Sequence, residues 1–444
     1  MKTLYLIAIV LCSFTASEAA THAVLPGASI QAKINLAVAG DIVAIFGGTY
    51  NEDLTINKAI RLVEVSGQQV TLAGSVTFTD VANCPVFDGF TVGSSGRGIT
   101  VTNTTGLVFR NLDARLGSGI ATSGTTNLKI SESQLSSVTA GGTTVEISKT
   151  SLTGIINQTA GNLFTTSVTI AGNFDTNTAA LKTVAFRTTV AGDCIWRSKK
   201  NWFGYSEAKS FNFIDQNQAK VVVVGNKIDR QGVEANGIYC NVSNSSILIC
   251  NNRIVRVGYK WNEDNENGID LRGGGNKAVI ANNYCQLQYY NVDFGARGDG
   301  IYVRDFTQAT IINNVIVGAR HGISAPFGAL AQNNLYWASP WNAREANGVI
   351  AEGTLYTDPL FVAGEEPKLQ ATSPCINAGT IDPRYNDRDG SRNDIGPSGG
   401  AWFDPDGWTT ENPVVISFDL SPDMVLEGVD TEVILSEGQA VSAP

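Results

Sequence analysis

VVVVGNKI (Val221–Ile228), SILICNNRI (Ser246–Ile254), AVIANNYC (Ala278–Cys285), ATIINNVI (Ala309–Ile316) and ALAQNNLY (Ala329–Tyr336) are one pattern written five times. Each is a short β-branched or small apolar run that meets Asn and continues into a second apolar run. Between them recurs a second piece: NGIYC (Asn236–Cys240), NGIDL (Asn267–Leu271), DGIYV (Asp299–Val303) and HGISA (His321–Ala325). The second Asn of each pair falls at 252, 283, 314 and 334, giving spacings of 31, 31 and 20 by subtraction. A unit made only of strands at this period cannot bury its own apolar face, whereas stacked copies can, so the repeat implies a solenoid. The Asn pairs specify its corners. A coil of parallel strands turns sharply, a corner residue often enters the left-handed region, and Asn enters it more readily than any residue but Gly. Stacked Asn amides can also hydrogen-bond as a ladder.

Strand alternation sets the facing. In Gly268-Ile269-Asp270-Leu271-Arg272, Ile269 and Leu271 point in and Asp270 and Arg272 point out, because the opposite register buries both charges. This repeat resembles that of the right-handed parallel β-helix family, the pectin-lyase-like fold. The resemblance implies an all-β, single-stranded right-handed parallel β-helix across residues 21–400. GDIVAIFGGTYNEDLTINKAIRLV (Gly40–Val63) is similar to the first coil of secreted β-helix proteins such as pectate lyases and pectin esterases. TDPLFV, KLQATSPCINAGT and DRDGSRNDIG (from Thr357, Lys368 and Asp387) resemble the closing segment of secreted bacterial members. Ahead of the first coil, Ser29 is placed as an N-cap, with Ile30, Ile34 and Ala37 on one helical face, which predicts a short helix plugging the open end of the core.

Residues 1–20 read as a secretory signal: Lys2, the apolar run Leu4–Leu11, and small residues around Ser17-Glu18-Ala19. The apolar run is too short to span a bilayer, so an exported or cell-surface protein is expected, with no membrane span. The chain has 444 residues and a formal net charge of −10, which disfavours nucleic acid as a partner. A monomer is expected. Of seven cysteines, Cys12 leaves with the signal. Cys240 takes the slot of Leu271 and Val303, Cys285 that of Ile254 and Ile316, and Cys250 that of Ala281 and Ile312, so these three are expected to pack as small apolar residues. Cys84, Cys194 and Cys375 complete an even set that permits bridges.

Residues 66–220 continue the coil with closer, Ser- and Thr-rich rungs and no evident chemistry. WRSKKNWFGYSEAK (Trp196–Lys209) alternates aromatics with cations; Trp196 and Trp202 there are candidate faces for sugar rings, or a loop capping the core. The strongest functional signal is a length difference. From the Gly of each Gly-Ile to the next Asn pair the distance stays at 12–15 residues. From Asn to the next Gly it is 16, 17 and then 8. The extra residues, RVGYKWNEDNEN (Arg256–Asn267) and QLQYYNVDFGARG (Gln286–Gly298), therefore enter at one corner and stack into one wall, carrying Lys260, Trp261, Tyr290 and Arg297. Beside it run three outward columns: Tyr239, Asp270, Tyr302, Ser324; Asn241, Arg272, Arg304, Pro326; and Asn236, Asn267, Asp299, His321.

Two arginines one coil apart, ~4.8 Å, repel unless something anionic lies between them: Asp270, Asp305, or the carboxylate or sulfate of a bound acidic polysaccharide. Hydrolysis of such a chain needs two carboxylates, for which Asp270 and Asp299 are candidates. Elimination needs a cation on the uronate, Arg272 or Arg304, and a base for the C5 proton: Lys260, Tyr290, Tyr302 or His321. NGID, DG and RHGIS on successive coils resemble the motif order of polygalacturonases, although the paired Asp and the Arg-Ile-Lys motif of that family are missing. The expected function is binding, and cleavage by a lyase or hydrolase, of an acidic extracellular polysaccharide. The alternative is a non-catalytic surface or matrix β-helix. No cofactor is demanded; calcium is the candidate ion, at Asp387, Asp389 and Asp394. Residues 401–444 carry no Lys or Arg after Trp408 and suggest short strands in an acidic extension.

Overall fold

The computed structural model describes residues 19–441 except 66, 83–84, 125–126, 143, 231–235, 258–265, 288–297, 306, 339–347, 365–366, 406, 409–413 and 422–434. It is a parallel β-solenoid of about 14 turns, the architecture expected of a right-handed parallel β-helix. Three parallel sheets form its sides. The first has 16 strands, from Thr21–Val24 to Val349–Glu352; the second has 14, from Gly48–Tyr50 to Leu335–Trp337; the third has 13, from Leu54–Ile56 to Ile323–Ser324. Each coil visits them in that order. The register is the one implied by the repeat: Cys250 pairs with Ala281 and Ala281 with Ile312, Tyr239 with Asp270 and Asp270 with Tyr302. Inward positions fuse into one continuous apolar core running from Val24 to Tyr336.

The helix Ile30–Leu36 covers the amino-terminal end, with Ile30 and Ile34 buried. Ser29 Oγ accepts from the Ala32 amide at 3.1 Å. The first coil secures both helix ends: Glu52 accepts from the Ile30 and Gln31 amides, and Lys58 Nζ donates to the carbonyls of Ile34, Asn35 and Ala37. Groups that a helix terminus leaves unsatisfied thus find partners of complementary charge.

Each Asn of a pair does a different job at the corner between the first and second sheets. Asn251, Asn282, Asn313 and Asn333 have φ of 53–58°, the left-handed turn. Asn226, Asn252, Asn283, Asn314 and Asn334 point inward as an amide ladder, each Nδ2 donating to the next Oδ1 at 2.9–3.0 Å. The Gly of each Gly-Ile is required by a close approach: a Cβ on Gly268 would sit 2.6 Å from the Gly300 carbonyl oxygen, and one on Gly300 2.7 Å from that of Gly322.

After Glu352 the chain turns back along the outside of this corner. Asn333 donates to the Ala378 carbonyl; the Thr380 amide donates to Asn313; Asn282 donates to Asn393, Asp394 and Gly396; Asn251 donates to Pro397 and Gly399. The outward-turned Asn column is therefore the seam that holds a carboxy-terminal strap. Apolar contacts accompany it, with Cys375 and Ile395 against Tyr284, Val315 and Leu335, and Tyr385 and Trp402 against Cys250, Ala281 and Ile312. Beyond it, Val414–Ser421 and Leu435–Val441 form an antiparallel hairpin whose first strand lies near Ala180–Phe186 and Lys200–Gly204.

Five cysteines are described, and all are free and buried; Cys84 lies outside the described residues. Cys194, Cys240 and Cys285 are in the central core, whereas Cys250 is buried beneath the strap on the outer side of the first sheet. Among the described residues no helix is long and apolar enough to cross a membrane.

Candidate functional site

The expected columns share the outer face of the third sheet. Arg272 pairs in register with Asn241, Tyr302 with Ser324, and the Arg304 amide donates to Leu271 O. The inserted segments leave from in-register neighbours, Val257 and Leu287 in the second sheet, and re-enter at Asn267 and Asp299. Lys260, Trp261, Tyr290 and Arg297 lie outside the described residues.

The two acids lie on the outer face yet are almost wholly covered: Asp270 is 0% exposed and Asp299 1%. Asp270 takes a two-pronged ion pair from Arg272, at 3.1 and 2.9 Å, and accepts from the side chains of Asn236 and Asn267. Asn236 Oδ1 in turn accepts from the Asn267 amide, and Asn267 Oδ1 from the Asp299 amide. This second side-chain ladder fixes the acids from the turn before the strand. Asp299 accepts from Arg320 Nε at 3.2 Å and is 2.9 Å from His321 Nδ1. A pair of solvated carboxylates ready to flank a glycosidic bond, the expectation for hydrolysis, is not what these residues form. Both are buried and held by their own neighbours, Asp270 at both oxygens and Asp299 at Oδ1, because burying a carboxylate demands partners.

The two arginines differ. Arg272 is locked to Asp270, which raises its pKa, and its guanidinium lies 5.2 Å from the Tyr239 ring centre. Arg304 repeats the stacking on Tyr302 at 5.0 Å. However, its Nε is buried with no hydrogen-bond partner among the described residues. Asp305, the other expected partner, instead accepts from the Gly273 amide.

Three expectations are corrected by the fold. Trp196 is 1% exposed, with ring centres of Phe174 and Phe203 at 5.0 Å and of Phe213 at 5.9 Å. It occupies an inward slot of the strand Cys194–Trp196 and presents no face to a sugar. Trp202 points outward from the first sheet, packed on Phe186 and beside Trp408, on a different side of the rod from the arginines. Asp387, Asp389 and Asp394 do not converge: Asp387 takes the Gly400 and Asp394 amides, Asp389 the Ser391 amide and hydroxyl, and Asp394 the Asn377 amide. Among the described residues no group of three or more His, Cys, Asp or Glu is placed to hold a metal ion. An open groove of about 730 Å³ on the first sheet, floored by Val222, Leu248 and Val279, shares no residue with the third-sheet face.

Asn236, Asn267 and Arg320 are parts of the site that reading for chemistry passed over. Their signal was positional, since all three lie in or beside the column that precedes each Gly-Ile.

No family model matches the chain, and no curated protein matches it in sequence. Among solved structures it is similar to that of the pectate lyase Pel9A, with 12% identity over 86% of this chain and 96% of that one and a TM-score of 0.29. It is also similar to a mannuronic acid-specific polysaccharide family 6 lyase from human gut microbiota, with 10% identity over 78% and 89% and a TM-score of 0.28. The assignment of the fold rests on the strand pairing itself.

Proposed function

We propose that the protein is exported and binds an acidic polysaccharide along the outer face of the third sheet, where it cleaves the chain by elimination. One observation carries the binding reading: Arg304 holds a buried Nε with no partner among the described residues on this face, stacked on Tyr302 and one coil from the neutralised Arg272. An unmade hydrogen bond at a buried donor costs ~1–3 kcal/mol. A uronate carboxylate fits the fork of a guanidinium and relieves that cost. Elimination is favoured over hydrolysis because Asp270 and Asp299 are already committed to side chains of the protein. A non-catalytic matrix role draws support from the same Asp270–Arg272 pair, which leaves part of the face self-neutralised.

The test is binding to polygalacturonate, alginate and a sulfated glycosaminoglycan by calorimetry. Parent chain should bind at least one of them, and Arg304→Ala should weaken that Kd ~10-fold or more, the loss expected of a charged hydrogen bond. Equal affinity of parent and variant, or no binding by either, removes the reading.

A further inference from the structure

The two histidines of this chain both sit on aspartates, in opposite ways. His22 turns its Nε2 to Asp41 at 2.8 Å, and Asp41 also takes the Val38 and Ala20 amides. That arrangement closes the amino-terminal end of the solenoid. His321 turns its Nδ1 to the buried Asp299, while its side chain remains 38% exposed on the third-sheet face. Asp299 also holds Arg320, and an ionised carboxylate can only accept. The proton of neutral His321 is therefore on Nδ1, donated to Asp299, and the lone pair is on Nε2, the nitrogen turned away from Asp299.

The backbone holds this geometry firmly. The Gly300 amide donates to His321 O, the Arg320 amide to Gly298 O, and the Asp299 amide to Asn267 Oδ1. A carboxylate fixed by its own ladder thus fixes a partly exposed ring in the turn that leads into Ile323–Ser324, the strand paired with that of Tyr302. Other described groups on that face are less suited: Asp270 is enclosed, and each tyrosine carries a guanidinium against its ring.

We infer that His321 is the proton-accepting base of this site and that Asp299 is its positioning residue. This rests on the reading of the face as an acidic-polysaccharide site. In the step, Nε2 takes the C5 proton of a uronate whose carboxylate is held by Arg304. The C5–H electron pair forms the C4–C5 double bond, the C4–O4 bond breaks, and O4 leaves with its electron pair and takes a proton from water. The imidazolium then returns its proton to solvent. No oxidant, reductant or co-reactant is consumed.

Full-length parent, His22→Ala, His321→Ala and Asp299→Asn would be assayed on polygalacturonate and alginate by ultraviolet absorbance of the unsaturated product, with binding and melting measured alongside. General-base removal costs ~100-fold or more in rate, so His321→Ala should lose that much while binding and melting hold. Added imidazole should restore turnover to His321→Ala. His22→Ala should keep the parent rate. Asp299→Asn replaces an acceptor by a group that can also donate, freeing the tautomer, so kcat should fall ~10-fold or more with KM little changed. The inference is overturned if His321→Ala keeps the parent rate, or loses it without rescue by imidazole. It is also overturned if the parent binds a polyuronate yet forms no unsaturated product, an outcome that leaves the binding reading standing. Failure to bind at all removes both.

Discussion

The coils before Val221 and those after it solve the same corner with different side chains. In the later coils the inward position is Asn, and each amide links three ways. Asn283, for instance, accepts from the Asn252 amide and side chain and donates to Ile249 O, Ala281 O and Asn314. In several earlier coils that position is a hydroxyl, and in others the apolar Leu112 or Val168. Ser206 accepts from the Thr188 amide and donates to Gly204 O; Ser133 accepts from the Leu112 amide and donates to Ser131 O. A hydroxyl has one proton and spends it locally, so it receives the neighbouring coil without passing a side-chain bond onward. The left-handed position changes too. Later coils use Asn apart from Gly225; earlier ones have Asn111 and then Glu132, Lys149, Ser167, Arg187 and Tyr205 there, at φ of 46–53°. The later coils alone carry the long insertions and most of the strap. The more heavily cross-linked half of the rod is the half that carries Asp270 and Asp299 buried on an outer face, and a rigid backing is what such a face needs.

The largest way to break this comparison is Asn283→Ala, which strands several buried groups and should lower stability by roughly 3–5 kcal/mol, against ~1–2 kcal/mol for Ser206→Ala. Equal urea midpoints for the two would mean that the amide ladder adds nothing. Next, Arg272→Ala leaves the buried Asp270 without its cation and should cost about 3 kcal/mol, while Arg304→Ala, which breaks no described ion pair, should cost under ~1 kcal/mol. Thermal melts decide this, and they separate a structural arginine from a binding one. The left-handed corner allows a test with opposite signs. Lys149→Gly should stabilise by ~1 kcal/mol by relieving the turn. Asn282→Gly keeps the turn but removes the strap bonds, and should destabilise by ~1–2 kcal/mol and speed proteolysis of the strap.

The smallest expected effect lies at the entrance to the earlier coils. The Val38 amide, His22 and the Ala20 amide hold the Asp41 pKa down to about 2 from its ordinary 3.8. The unfolded chain therefore takes up this proton first as pH falls. The contribution is complete above the ordinary value and disappears as pH drops toward the folded one. Asp41→Asn should flatten the acid side of the stability profile in that window; an unchanged profile would place the acid sensitivity elsewhere.

Much of this was legible because β-structure has a period of two and a solenoid repeats. Ser29, Ile30 and Ile34 announced the cap; Cys240 and Cys285 announced their slots by alignment; Tyr239, Asp270 and Tyr302 announced a shared column. Trp196 misled because aromatic–cation alternation reads equally as a solvated loop and as a strand with its rings inside. The metal reading failed for a related reason: Asp387, Asp389 and Asp394 are close in sequence, but each is drawn to a different backbone amide.

By itself the sequence determined the coil, its register and which residues face outward, since these follow from local alternation and from stacking like on like. Only the tertiary structure decided what the outward residues do: that Asp270 closes on Arg272, that Asp299 holds His321, and that one Asn of each pair grips a strap 45 or more residues further along the chain. Facing is a property of one strand. Partnership depends on contacts between coils and between distant segments, which no local pattern encodes.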